Sequence, residues 1–311
     1  MMNLSKSLYT KAIQCPKALW LNKYKKEVLT SPDATALARF ETGNVVGDLA
    51  CGIFPNGKEV IYNPDDFNSM LETTKEWMDE GLEYIYEATF LYDGILVLVD
   101  VLKITPDGLE IYEVKSSSSV KDIYLHDVSI QSYVLKRLGY TVTSSNVIHI
   151  DNAYVRDDEL DLNELFMIAN VSDEVNALQV DIPTRLEEFE AYLADRDNEP
   201  NIDIGSHCNN PYECDAKEYC WKVQRNIPDY SMFNIFNLGS KKQIELYAQG
   251  IVKIEDIPST YTMTAIQKQK VQNWKDQVTF IDEENIKDFL DTLSYPIYHL
   301  DFETFQQAIP E

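Results

Sequence analysis

The stretch that decides the fold reads Gly94-Ile-Leu-Val-Leu-Val-Asp-Val-Leu-Lys-Ile-Thr-Pro-Asp-Gly-Leu-Glu-Ile-Tyr-Glu-Val-Lys115. Two β-rich runs flank Thr105-Pro106-Asp107-Gly108. Proline presets one backbone angle of a turn and glycine tolerates a positive φ, so this tetrapeptide favours reversal of the chain. The stretch therefore predicts a β-hairpin.

Charged side chains converge in this predicted hairpin. Pairing residue 104 with residue 109 sets Asp100 opposite Glu113, and the two-residue period of a strand puts Lys115 on the same face. The neighbouring residues are apolar on both faces, where an unpaired charge is costly to bury. Carboxylates are hard oxygen ligands for Mg²⁺ or Mn²⁺, and a lysine beside them can position a water molecule. A structural ion pair of one carboxylate with Lys115 is the alternative interpretation.

Composition sets the broad class of the protein. The chain has 311 residues, 44% of them hydrophobic and 25% charged, which is typical of one large globular domain or two ordinary ones. No segment approaches the ~18 apolar residues of a membrane span, and the first twenty residues do not resemble a secretory signal. We expect a cytoplasmic protein without a membrane segment.

Charge is distributed unevenly along the chain. The net charge of −25 argues against a generally basic nucleic-acid binder. Residues 1–26 nevertheless hold six lysines, while all 52 acidic residues lie after residue 26. This segment is a candidate phosphate-facing surface, and a solvated amphipathic helix is the alternative.

Cysteine spacing suggests a second site. Cys208, Cys214 and Cys220 follow one another with five residues between neighbours, and Cys15 stands far away before Pro16. Disulfides are disfavoured in a reducing compartment, and zinc sites usually bring cysteines in closer pairs. An iron–sulfur cluster fits at least as well as zinc, and unligated thiols are a further alternative. A fifth cysteine, Cys51, is predicted to be a buried thiol.

The order of predicted elements indicates an α/β unit with the hairpin at its centre. Helices are predicted at 4–24, 34–51, 65–80 and 122–138, and strands at 84–92, 95–104, 109–116 and 142–151. Residues 158–196 are predicted to form one or two helices, with Pro183 starting the second. Shorter helices are predicted at 240–249, 264–276 and 283–293, the last behind the N-cap Asp282.

Together these residues resemble the RecB-like branch of the PD-(D/E)XK nucleases, and most closely its iron–sulfur members, such as the CRISPR-associated exonuclease and the bacterial AddB-type subunit. The resemblance covers about residues 1–222. It implies a restriction-endonuclease-like αβββαβ core with helical and cluster-stapled additions. Asp100, Glu113 and Lys115 resemble the catalytic triad, and Gln131 falls on the helix that carries the family's Gln-x-x-x-Tyr motif. The implied [4Fe–4S] ligands are Cys15, Cys208, Cys214 and Cys220.

The resemblance also implies a divalent metal, Mg²⁺ or Mn²⁺, held by Asp100, Glu113 and the Val114 carbonyl. The sequence departs from the family at three places. Gly47 stands where relatives carry a metal-binding histidine, which leaves Glu41 or Asp48 as the nearby acidic substitutes. Leu135 replaces the motif tyrosine, and the three C-terminal cysteines are more widely spaced than in relatives.

The end of the sequence resembles the opening of a second domain. Asp301-Phe302-Glu303-Thr304 is similar to the Asp-x-Glu strand that begins the DnaQ-like exonuclease domain of some RecB-like proteins, and Asp301 and Glu303 would form part of a second metal site. The implied domains are a nuclease domain at 1–227, a helical linker region at 228–294 and the first strand of a truncated DnaQ-like domain at 295–311. A chance Asp-x-Glu is the alternative.

These observations predict a metal-dependent DNA nuclease, an exonuclease that acts on DNA ends or single strands. The rival hypothesis is a catalytically silent iron–sulfur module that binds DNA or a protein. A zinc-stapled structural protein is a third. DNA repair and CRISPR adaptation are both open as settings, and the sequence identifies no partner nuclease or helicase subunit.

Overall fold

The computed structural model describes residues 4–303 and 307–310, which form two compact units. The first unit contains residues up to 202 together with 211–216 and 307–310, and the second contains 203–210 and the described residues from 217 to 303. The domain boundaries predicted at residues 227 and 294 stay predictions. Among the described residues, no helix is both long and apolar enough to cross a membrane.

The first unit is an α/β structure built on a mixed sheet, which confirms the predicted α/β class. Its strands are β1 (Leu4–Ser5), β2 (Lys58–Glu59), β3 (Tyr84–Tyr92), β4 (Ile95–Thr105), β5 (Gly108–Lys115), β6 (Val142–Ile150) and β7 (Phe166–Asn170). Its helices are α1 (Lys6–Gln14), α2 (Pro16–Tyr24), α3 (Ala34–Cys51), α4 (Phe67–Asp79), α5 (Asp122–Arg137), α6 (Leu162–Leu165), α7 (Ser172–Leu178) and α8 (Ile182–Ala194), and a 3₁₀ turn spans Lys26–Val28.

The sheet runs in the order β2-β3-β4-β5-β6-β7. Strands β3, β4 and β5 form an antiparallel meander, and Ile104 pairs with Leu109 across the hairpin turn, as predicted. Strand β6 lies parallel to β5, and α5 provides the crossover that parallel neighbours require. The hairpin therefore occupies the middle of the sheet.

Strand β1 adds a short seventh strand beside β4. Leu4 pairs in parallel with Ile95, and β3 occupies the other edge of β4 along its length. Strands β1 and β5 therefore lie on the same side of β4, β1 near its start and β5 near its end. The paired register of β4 with β5 ends at Val101 and Tyr112, so a gap opens between β1 and β5 next to Asp100.

Hydrophobic residues cover both faces of the sheet. One core cluster joins strand residues to α1, α4, α5, α7 and α8, and it includes Ile111 and Val128, both fully buried. The second joins Val101 and Ile148 to Val46 of α3. Because β4 and β5 contribute to both clusters, the middle of the hairpin is enclosed by helices on either face.

Two sequence predictions in the first unit are wrong. The predicted helix 4–24 is broken at Cys15, whose backbone is extended, because the following Pro16 disfavours helical geometry in the residue before it. Residues 158–196 contain β7 as well as helices. This strand pairs antiparallel with β6, and the pairing decides the structure of a segment whose composition suggests helix.

The second unit is a small helical structure. Its helices are α9 (Ser240–Ala248), α10 (Ala265–Asp276) and α11 (Glu283–Asp291), with a π-helix at Tyr219–Gln224 and 3₁₀ turns at Ser206–Cys208, Met232–Asn234 and Ile254–Asp256. Asp282 caps α11 as predicted, because its carboxylate accepts from the Asn285 amide at 3.0 Å. Residues 295–303 and 307–310 contain no strand, so the strand expected near Asp301 is absent from this described part.

Candidate active site

Asp100 lies where β4 and β5 part. Its Oδ2 accepts a 2.7 Å hydrogen bond from the Val114 amide. At this end of the β4–β5 pairing, the carboxylate therefore takes the place of a backbone carbonyl as the acceptor. Its Oδ1 is left pointing to the gap, where it accepts from Lys6 Nζ at 3.1 Å. Burial and the nearby Glu113 raise the pKa of Asp100, although Lys6 partly offsets them.

Glu113 is the most buried charge of the site, with 1% of its side chain exposed. Its carboxylate accepts from Lys115 Nζ at 2.6 Å, from Lys6 Nζ at 3.0 Å and from Gln131 Nε2 at 2.7 Å. Burial alone would raise the pKa of Glu113, but the two ammonium groups outweigh it and hold the pKa far below its usual range. Glu113 is therefore ionised at neutral pH.

Lys115 lies between two carboxylates. Its Nζ donates to Glu113 and, at 2.7 Å, to Oδ2 of Asp127. Burial would lower the pKa of Lys115, but Glu113 and Asp127 raise it well above its ordinary value. Burial and Glu113 in turn raise the pKa of Asp127 to about 6. Lys115 is thus fixed in position as a charged ammonium.

Helix α5 supports the hairpin from one face. Asp127 and Gln131 are four residues apart, so they lie on the same side of the helix. Gln131 is fully buried, and its amide nitrogen reaches Glu113 while Asp127 reaches Lys115. The helix therefore orients both Glu113 and Lys115.

Lys6 completes the site from a distant part of the sequence. Two local contacts fix its backbone, because Leu4 pairs with β4 and Ser5 caps α1 by accepting from the Leu8 amide at 3.3 Å. Its ammonium group lies 3.0 Å from both oxygens of Glu113 and 3.1 Å from Asp100 Oδ1. Burial would lower the pKa of Lys6, but these two carboxylates raise it well above its ordinary value.

Glu87 adds a further carboxylate from β3. The register of β3 and β4 continues unshifted on both sides of it and puts Glu87 opposite Asp100. Its backbone has φ +54°, a left-handed value that is unusual for a residue other than glycine. Burial and Asp100 raise the pKa of Glu87 to about 7. The site thus collects acids from three adjacent strands.

The structure brings together four predicted site residues, Asp100, Glu113, Lys115 and Gln131, and adds three that the sequence analysis missed. Asp127 could have been found from its i, i+4 spacing to Gln131. Glu87 could have been found by extending the register across the Asp93-Gly94 turn, where Tyr92 pairs with Ile95. Lys6 carried no local signal, because its partners lie 94 and 107 residues away.

Two predicted metal ligands lie on α3. Glu41 and Asp48 are both exposed there, and their role as ligands stays a prediction. A Cβ added at Gly47, where the family resemblance implies a histidine, would meet no atom within 4 Å, so this position is open space. Leu135, where the resemblance implies a tyrosine, is fully buried in the core.

The cysteines are divided between the two units. Cys15 and Cys214 belong to the first unit, and Cys208 and Cys220 belong to the second. Burial would raise the pKa of the Cys208 thiol, but His207 and the Gly205 amide outweigh it and lower the pKa. The cluster stays a prediction. Cys51 is half-buried rather than buried, and burial with Asp100 nearby raises the pKa of its thiol to about 12.

Asp301 and Glu303 are both exposed, and residues 301–303 have no regular secondary structure. Thr304, the last residue of the motif, lies outside the described residues. The second metal site therefore stays a prediction from the sequence.

The donor set of Asp100 and Glu113 fits a cation. Three carboxylate oxygens already converge on one positive group, the Lys6 ammonium, at 3.0–3.1 Å. Carboxylate oxygens are the ligands that Mg²⁺ and Mn²⁺ prefer. Within residues 4–303 and 307–310, no three His, Cys, Asp or Glu side chains are arranged to hold a metal ion as they stand. Lys6 occupies the space between the two acids.

Comparison with known proteins gives no relative from which a role could be transferred. No protein-family model matches the chain, and no curated protein matches it. The site must be interpreted from its own chemistry.

Proposed function

We propose that the protein is a metal-dependent deoxyribonuclease of the PD-(D/E)XK type that hydrolyses phosphodiester bonds at DNA ends or in single strands. One observation carries the proposal: Asp100, Glu113 and Lys115 converge on one face of a central hairpin. The two acids together bind one positive group, the Lys6 ammonium. A structural ion pair needs only one acid and one base. Three or more charges gathered in an apolar sheet are costly and indicate a functional site.

The topology supports this proposal. A PD-(D/E)XK core consists of a helix, three antiparallel strands, a helix and a strand parallel to the third. The first unit has this order in α4, β3, β4, β5, α5 and β6. The acid of the second strand and the Glu-x-Lys of the third then lie side by side, as the chemistry requires.

Each residue of the site has a proposed role. Asp100, Glu113 and the Val114 carbonyl would hold Mg²⁺ or Mn²⁺, which supplies Lewis-acid activation of a phosphate and of a water molecule. Lys115 keeps its proton because Glu113 and Asp127 raise its pKa, so it acts as a hydrogen-bond donor and a positive charge rather than as a general base. Asp127 and Gln131 position Lys115 and Glu113 respectively.

DNA is the proposed substrate, and its contacts should be largely sequence-independent and salt-sensitive. The N-terminal lysines contribute less to this surface than their number suggests. Lys6 pairs with the site, Lys11 with Asp215, and Lys17 with Glu199. We therefore expect binding to weaken between low and moderate salt with a shallow slope that reflects few phosphate contacts.

The proposal includes a [4Fe–4S] cluster on Cys15, Cys208, Cys214 and Cys220, and a cytoplasmic setting in which thiols stay reduced. The cluster has no role in the cleavage chemistry proposed here. Its proposed role is to stabilise the structure.

The test is degradation of end-labelled single- and double-stranded DNA by anaerobically purified protein with Mg²⁺ or Mn²⁺. Glu113→Gln and Lys115→Met should each lower the rate by a factor of at least ~10², the scale of losing one catalytic group. Glu110→Gln is the matched control. Glu110 lies on the same strand and pairs with Lys103 at 3.3 Å, away from the triad.

Equal loss of activity in Glu110→Gln would indicate damage to the sheet rather than to a site. If the folded, metal-supplied wild type cleaves neither substrate, the nuclease proposal is wrong. The silent binding module then becomes the better hypothesis, with Gly47 in place of the histidine as its physical reason.

A further inference from the structure

The two acids of the site already share one positive charge. The Lys6 ammonium has three N–H groups, and three carboxylate oxygens lie within 3.1 Å of it, two from Glu113 and one from Asp100. These are the same two carboxylates to which the proposed function assigns the metal. The position between the two acids therefore has two candidate cations.

The position of Lys6 is built into the fold. Its backbone is held by the pairing of β1 with β4, by a 3.0 Å hydrogen bond from the Leu4 amide to the Gly94 carbonyl and by the Ser5 cap. Leu4 is 1% exposed, so burial anchors the residue two positions before Lys6. The side chains of Lys6 and Asp100 are 22% and 21% exposed, so this end of the site is open to solvent.

Charge balance shows what Lys6 does there. Without it, four acids would face a single positive group, Lys115; these acids are Glu87, Asp100, Glu113 and Asp127. Coulomb repulsion between the acids, strengthened by burial, would then destabilise the protein lacking a metal. A divalent cation relieves the same repulsion, so the lysine and the metal stabilise the site by the same means and exclude each other.

We infer that Lys6 competes with the divalent metal for the position between Asp100 and Glu113. The Lys6 ammonium must leave this position before the metal can bind. This inference rests on the proposed function, because it takes the metal site from it. The lysine keeps the metal-free protein folded with its acids neutralised. It also sets the metal concentration at which the nuclease becomes competent.

The experiment measures Mn²⁺ binding to the full chain by isothermal titration, without DNA. Lys6→Met keeps the length of the side chain and removes its charge, and we expect at least tenfold tighter binding. Lys11→Met is the matched control, since Lys11 lies on the same helix and pairs with Asp215. We expect Lys11→Met to bind Mn²⁺ with the same affinity as the wild type. Glu113→Gln should weaken binding in every background.

A second measurement uses the wild type alone, in case Lys6→Met does not fold. Lysine modification by reductive methylation is followed by mass spectrometry with and without Mn²⁺. Displacement from the acids should raise the labelling rate of Lys6 severalfold while that of Lys11 stays constant.

The outcomes separate this inference from the proposed function. The competition would be overturned if wild type and Lys6→Met bound Mn²⁺ equally, or if bound Mn²⁺ left the labelling rate of Lys6 unchanged. Either result would leave the nuclease proposal standing. If neither wild type nor folded Lys6→Met binds Mn²⁺ at millimolar concentration, the metal site fails and the competition with it.

Discussion

The side-chain amide of Gln131 donates a 2.7 Å hydrogen bond to Oε2 of Glu113, and both side chains are almost completely buried. Gln131 Oε1 has no hydrogen-bond partner among the described residues. The amide nitrogen of Gln131 therefore donates to Glu113, while its amide oxygen is a buried acceptor without a partner among the described residues.

Replacing Gln131 by leucine should separate activity from stability. The variant removes a donor to a buried carboxylate, which costs about 1.5–3 kcal/mol, but it also removes the unsatisfied oxygen, which returns part of that free energy. We expect the free energy of unfolding to fall by about 1 kcal/mol or less in urea titrations. DNA cleavage should fall at least tenfold, because Glu113 loses one of its fixed contacts.

The control for this variant is Ser129→Ala. Ser129 is also buried on α5, and its hydroxyl donates within the helix to the Leu125 carbonyl. Cleavage that is lost equally in both variants would contradict a specific role for Gln131.

Glu87 should make the stability of the metal-free protein depend on pH. Its pKa of about 7 in the folded state exceeds its ordinary value of 4.5. The folded state therefore holds more protons than the unfolded state between these values, so the free energy of unfolding falls as the pH rises through this window. After a discount for the partial exposure of Glu87, we expect a loss on the order of 1–2 kcal/mol between pH 5 and pH 8.

Urea titrations at the two pH values test this expectation. Glu87→Gln should remove most of the decline, whereas Glu72→Gln, at an exposed position of α4, should keep it. A decline of the same size in Glu87→Gln and in the wild type would assign the pH dependence to another group, such as Asp127.

Gly47 offers a test by gain of function. It lies one helical turn before Cys51 on α3, and Asp100 is close enough to Cys51 to raise the pKa of its thiol. A side chain at position 47 therefore lies on the same side of α3 as Cys51, with open space around its Cβ. Gly47→His should bind Mn²⁺ severalfold more tightly than the wild type in calorimetric titrations.

Gly47→Ala controls for helix propensity in this comparison. Both variants should raise the free energy of unfolding by up to about 1 kcal/mol, because glycine is unfavourable inside a helix. Only the histidine should change the metal affinity. Equal Mn²⁺ binding by both variants would show that position 47 does not reach the metal.

The cysteine cluster is tested by metal content. Anaerobically purified wild type should contain iron and absorb near ~400 nm, and Cys214→Ser should lose both signals. Cys51→Ser should keep them, because Cys51 is outside the predicted ligand set. Colourless wild-type protein with bound zinc would support the zinc alternative instead.

Much of the hairpin was predictable because one local feature fixes it. The Pro106-Asp107 turn sets the register, and the register alone puts Asp100 beside Glu113 and Lys115. The bounds of β3 and α3 were also predicted correctly, because their patterns are bounded by turn residues or a capping aspartate. Residues close in sequence therefore determine where these elements begin and end.

Other parts depend on contacts that no local pattern shows. Two residues of β1 pair with a strand more than ninety residues away, and Lys6 follows from that pairing. β7 forms because β6 offers an edge, although the composition of residues 158–196 suggests helix. The charge on Lys6 was visible in the sequence, but its acceptors were not.

The pairing of β1 with β4 has a consequence for synthesis on the ribosome. Lys6 emerges before Asp100 by 94 residues and before Glu113 by 107 residues, and contacts between such distant residues form slowly. The N-terminal segment must wait for the hairpin, so the acids and their neutralising lysine meet only after most of the sheet has been translated. Until then Lys6 and the two acids have not met, so under the proposed function a nascent chain would not yet cleave nucleic acid in its vicinity.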